Sequence, residues 1–181
     1  MDSEKKRDLD KNIIPVYRHS AEYAAQHGEL EVYRDSFRAN MACREAIEKA
    51  ISDNYRDNRF DSKKTSVQLG QKFGMERVGY VLANTIQHKN HDGRITDSNK
   101  KWAATIPVAE DKSEWGDDRN LSFIVDKTNP GLVDLLTNQV RKESAKEKSD
   151  LEEKPSILEK LHKPMTNFSS KHIEKDKEPE L

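Results

Sequence analysis

Cysteine is nearly missing from this chain, long apolar runs are missing altogether, and neither sign of charge is in surplus. Cys43 is the single cysteine in 181 residues, which excludes an intramolecular disulfide and a cysteine-rich zinc site. No apolar stretch approaches the roughly 20 residues that a membrane-spanning helix needs. Nothing at the N-terminus reads as a secretory signal, so the chain is expected to be cytoplasmic. Lys and Arg number 32 against 33 Asp and Glu, a formal net charge of −1. That balance argues against a general nucleic-acid binder, which needs a basic surplus, and against wholesale DNA mimicry, which needs an acidic one. The seven glycines stand singly, and none builds a phosphate-cradling loop. The Gly-x-Ser-x-Gly nucleophile motif is missing as well.

What is there is 36% charged and only 33% hydrophobic. Such a composition suits one modest domain with polar ends. The most apolar stretch is residues 74–94, in which residues 78–83 pass without a charge. Val78, Val81, Leu82 and Ile86 share one helical face, and Tyr80 and Ala83 widen it. The local pattern Val-Gly-Tyr-Val is β-like, but the breaker-free run is too long for a usual strand. A buried central helix is therefore expected after Gly74, which can end the preceding helix, with Glu76 in its first turn and His88 and Lys89 in its last. Asp92-Gly93 reads as the following turn.

Around it the sequence predicts a mainly α fold: a compact helical domain around a long helix and the buried central helix, with a small β hairpin or ribbon and disordered ends. Residues 1–12 read as a disordered leader, 13–145 as the helical domain, and 146–181 as a charged, mostly disordered tail. Ser20 is a candidate N-cap for a short helix over residues 21–26, ended by His27-Gly28. A long helix over residues 29–54 should span about 38 Å. Its small residues Ala39, Ala42, Cys43 and Ala46 would admit a close helix, with Gly79 as the expected partner. Residues 55–64 read as a polar connection, and Thr65 or Ser66 as the cap of the next helix. Asp97 or Ser98 should cap a helix carrying Trp102 and Ala103, stopped by Pro107. Residues 121–125 are the best strand candidate, to pair near Ile95 or Val108. Asn129-Pro130 is a strong helix start, followed by an apolar face of Leu132, Val133, Leu136 and Val140. Beyond it the helix is expected to project over residues 143–148. Residues 154–161 form a short amphipathic island.

Candidate chemistry is sparse. His88, His91 and Asp92 have partial metal-ligand spacing, but no second cluster completes a coordination sphere. Cys43 sits in a helical packing context, where a buried thiol is more at home than a nucleophile. Asp117 and Asp118 pair two carboxylates in a loop. No cofactor or metal is expected, and no catalytic constellation stands out.

Several stretches taken in order are similar to a known family. They are Pro15-Val16-Tyr17, Tyr23-Ala24, Gly28-Glu29-Leu30, Tyr33-Arg34-x-Ser36 and Asn40-x-x-Cys43-x-x-Ala46-Ile47. The match continues through Arg77-Val78-x-Tyr80-Val81-Leu82-Ala83-Asn84-Thr85-Ile86-Gln87, Asp92-Gly93-Arg94 and Asn99-Lys100-x-Trp102-Ala103. It ends with Ile106-Pro107-Val108 and Pro130-Gly131-Leu132-Val133. Together these resemble an uncharacterised domain family from mobile elements and phages of Gram-positive gut bacteria. A family member of similar length is an anti-CRISPR protein of type II systems. The resemblance implies a non-enzymatic protein that binds an RNA-guided Cas nuclease with its guide RNA and blocks target DNA recognition or cleavage. A weak DNA contact is compatible with it. The alternative is a protein- or DNA-interaction module doing other work for a mobile element. Because the DNA channel of such nucleases is basic, the expected partner contacts are the acidic group Glu110, Asp111, Glu114, Asp117 and Asp118, with Trp115 as an anchor among them.

Overall fold

Ten consecutive residues of one helix, Arg77 to Ile86, are withdrawn from solvent on every side. This is the central helix. The computed structural model describes residues 14–111 and 129–152 of the chain. Six helices and one two-stranded ribbon lie within them. They are α1 (Ala21–Gln26), α2 (Leu30–Asn54), β1 (Tyr55–Arg56), β2 (Arg59–Phe60), α3 (Ser62–Phe73), α4 (Met75–His88), α5 (Asp97–Ala104) and α6 (Pro130–Glu152). None of these helices is long and apolar enough to cross a membrane. The leader at residues 1–12, the segment 153–181 and the strand candidate at 121–125 lie outside the described residues.

The termini of the elements follow local chemistry. Ser20 caps α1 by accepting the Tyr23 amide at 3.2 Å. Gly74 closes α3 and opens α4 at φ 81°, a conformation that glycine adopts without strain. Asn129 accepts the Gly131 amide at 2.8 Å, with Pro130 as the first residue of α6.

Four local expectations give way. The small ribbon falls in the stretch read as a plain connection: Tyr55 pairs with Phe60 and Arg56 with Arg59, antiparallel. Asp57 and Asn58 make its two-residue turn at φ 53° and 59°, the left-handed pair that such a hairpin needs. Ile95 is not in a strand; it is buried in a bend after the Asp92 turn. Asp61, not Thr65 or Ser66, caps α3 by accepting the Lys64 amide at 2.9 Å, and both of the latter are buried inside the helix. Neither Asp97 nor Ser98 caps α5. Asp134 of α6 takes that role, accepting the Thr96 amide at 2.9 Å and its hydroxyl at 3.1 Å. The negative charge sits where the helix dipole is positive.

α4 runs through the middle and touches α2, α3, α5 and α6. Val78, Val81 and Leu82 pack with Cys43, Ile47 and Ile51 of α2, Leu69 of α3, and Val133, Leu136 and Val140 of α6. A second cluster joins Ala83 and Ile86 to Ile95 and Ala103. Gly79 does not meet the small residues of α2 as expected. It faces Trp102, whose ring lies 3.8 Å from where a Cβ would stand, because the wall on that side of α4 is α5.

Leu82 is fully buried. Leu82→Ala is expected to remove about 2–5 kcal/mol of stability in urea unfolding, and Leu82→Asp to abolish the folded state. A folded aspartate variant with near-normal melting would mean that α4 is not the centre of the core.

Candidate binding surface around the N-terminal segment

Arg77 is 2% exposed yet carries a full guanidinium. It lies one turn below the apolar heart of α4, on the side that faces α2. Nη1 donates to the Ser36 carbonyl at 3.0 Å and to the Asn40 side-chain oxygen. Nη2 donates to the carbonyls of Ile14 at 2.6 Å and Pro15 at 3.0 Å. All four acceptors are neutral, and burial lowers the arginine's pKa, although the group stays protonated at neutral pH. These bonds tie three segments together: the chain before α1, the middle of α2, and α4. Ser36 serves twice, since its hydroxyl also accepts the Tyr17 amide at 2.9 Å.

The segment so pinned carries a run of rings. Tyr17 meets Tyr33 edge-on at 6.0 Å and donates its hydroxyl to Glu29 at 2.7 Å. Desolvation, reinforced by the Glu29 carboxylate, raises the Tyr17 phenol to about 12. Arg18 reaches Glu76 at 2.9 Å and lies over the Tyr80 ring at 5.5 Å. His19 stacks on Tyr23 at 4.2 Å, and Tyr23 stacks on His27 at 3.8 Å. The spacing i, i+4, i+8 puts these three rings one above another along α1 and its flanks. All three are exposed. Such a ladder offers ordered aromatic edges and imidazole donors to a partner at little cost in side-chain entropy. A narrow cleft beside it is lined by Tyr17, His19, Tyr33, Asn40, Tyr80 and Asp111.

The expected contact residues separate. Glu110 is exposed. Asp111, expected as a surface contact, is 5% exposed and accepts the Tyr33 hydroxyl, which holds its carboxylate away from solvent. Glu114, Trp115, Asp117 and Asp118 lie outside the described residues. The candidate chemical groups are engaged locally. The His88 ring lies 2.9 Å from the Asn84 carbonyl. Burial pushes the Cys43 thiol up to about 12, against the smaller opposing effect of Arg77 and Lys72, so the neutral thiol prevails at pH 7. Asp92 is gripped by Arg94 through Nε at 3.0 Å, Nη2 at 2.9 Å and the amide at 2.9 Å. Those side-chain and then backbone bonds hold its carboxyl down to about 2. Arg77 and the His19–Tyr23–His27 ladder were not singled out by sequence reading. The signals were present, in a lone arginine bordering the apolar run and in rings spaced by four.

These features define a small, mainly helical domain whose N-terminal segment is fastened to the core and presents aromatic rings outward. The chain belongs to the family described as "Protein of unknown function (DUF3849)", whose model matches residues 16–145. No curated protein and no solved structure matches it.

Arg77→Ala is expected to remove the bonds that fasten the chain before α1 to α2 and α4 and to lower stability by about 3 kcal/mol. Amide exchange of Val16 and Tyr17 should quicken by more than the global loss. A loss under about 1 kcal/mol would show that the segment is held some other way. The Asp92 carboxyl should titrate with a midpoint of about 2 by NMR, and return to about 4 in Arg94→Ala. Its contribution to stability is complete above the ordinary carboxylate range and fades as pH falls toward 2. An unshifted Asp92 in the native chain would rule out this grip.

Proposed function

We propose that the chain is an anti-CRISPR protein that acts by stoichiometric binding. Its partner in this reading is a type II RNA-guided Cas nuclease loaded with guide RNA, in the cytoplasm of a bacterial host, and binding blocks target DNA recognition or cleavage. The ordered run of residue matches through α1, α2, α4, α5 and the start of α6 supports that partner. The structural observation that carries a binding role is the exposed ladder of His19, Tyr23 and His27. Surface rings stacked in a fixed geometry are pre-organised for an interface. Glu110, with Glu114, Trp115, Asp117 and Asp118, is the proposed acidic contact to the basic DNA channel.

Titrating the chain against a fixed amount of guide-loaded nuclease, with DNA cleavage as the readout, tests this. Inhibition should be complete near one inhibitor per nuclease, and Tyr23→Ala should weaken it without lowering the melting temperature. Reversing Asp117 and Asp118 to lysine should weaken it too. Full inhibition far below one per nuclease would point to an enzyme. No inhibition at any ratio would leave an interaction module with another partner.

A further inference from the structure

α6 does not end where its buried face ends. Val140 is its last buried apolar residue, and the helix runs on to Glu152, roughly 18 Å further. An unsupported helical extension of that length is marginal in water. Along it Glu143, Glu147 and Asp150 fall at i, i+4 and i+7 with Lys146 beside them, and Arg141 and Lys148 lie on the opposite side with Lys142 at its edge. The side with Arg141, Lys142 and Lys148 faces Trp102 across a groove of about 550 Å³.

The groove has an apolar floor and a cationic rim. Trp102 and Ala145 line it with Asn138, Arg141, Lys142 and Lys148. Arg141 is held in place by neutral acceptors, Ser98 Oγ at 3.0 Å and Asn99 Oδ1 at 2.7 Å, and lies over the Trp102 ring at 5.8 Å. The nearest carboxylate in that network, Asp134, is turned inward to Thr96 and Asn99. Among the described residues, none of the three rim cations has a carboxylate partner.

We infer that this groove docks an acidic, amphipathic peptide segment of a protein partner. An apolar side chain of that segment enters between Trp102 and Ala145, and its flanking carboxylates meet Arg141, Lys142 and Lys148. The charge complementarity is local and lies around an apolar slot, as peptide grooves require. A phosphate backbone would instead need a continuous basic track, and this chain has a net charge of −1. The inference stands whatever the partner of the N-terminal ladder is.

The test uses the full chain and a fluorescein-labelled peptide of Glu-Glu-Leu-Phe repeats, followed by fluorescence anisotropy. The controls are the Lys-Lys-Leu-Phe counterpart and a labelled DNA oligonucleotide. The acidic peptide should bind saturably. The double variant Lys142→Glu, Lys148→Glu should weaken it by about tenfold with an unchanged melting temperature. Ala145→Glu, at an exposed floor position, should weaken it independently. Binding of the oligonucleotide in preference to the peptide would overturn the inference, as would peptide affinity indifferent to both variants. A concentration-dependent dimer that the charge reversals abolish would assign the groove to a second copy and overturn it too.

Discussion

A guanidinium taken out of water must have its donors met, and Arg77 meets them on segments far apart in sequence. The carbonyls of Ile14 and Pro15, the Ser36 carbonyl and the Asn40 side chain converge on it. The Ser36 carbonyl and the Asn40 side chain lie on buried residues of α2, and the Ile14 and Pro15 carbonyls close over the arginine from the chain before α1. The arginine and its acceptors therefore hold one another in place. Apolar packing around Val78 and Leu82 makes the core favourable but is tolerant of small shifts. The Arg77 bonds are not tolerant, so they set the register of α2 against α4 and fasten the chain before α1. The orientation of Tyr17, and through it the start of the ring ladder, follows from that fastening.

A second polar tie does the same work at the other end. Asp134 of α6 caps α5 through Thr96 and accepts from Asn99 at 2.7 Å. Asn99 passes the connection to Arg141, which lies against Trp102. α5 is only eight residues long, too short to hold its helix unaided. Gln87 of α4 meets its far end, donating to the carbonyls of Ala103 and Ile106 at 2.8 and 3.0 Å. Both candidate surfaces are thus positioned by hydrogen bonds that link separate helices.

Much of this architecture is written locally. The extent of α4, the Ser20 cap, the Gly74 junction and the Asn129-Pro130 start each rest on a few neighbouring residues, and each is where periodicity and capping chemistry put it. The Asp57-Asn58 hairpin was missed: asparagine and aspartate favour the left-handed backbone, but its strands are two residues each, shorter than any hydrophobic alternation can signal. The surfaces were harder to read. The acidic group around Glu110 looked uniformly exposed in sequence, yet Asp111 is buried against Tyr33.

By itself the sequence determined the helical class, the central place of α4, and most helix termini, because helix periodicity and capping act over three or four residues. The tertiary structure decided that Asp134 caps a helix 38 residues away and that Gly79 faces Trp102. It also gathered neutral acceptors from four residues around Arg77 and left three rings and three cations at the surface. Those outcomes depend on which helix faces lie opposite one another. That is set by the simultaneous satisfaction of buried charges and donors across the whole domain, and no stretch of neighbouring residues contains it.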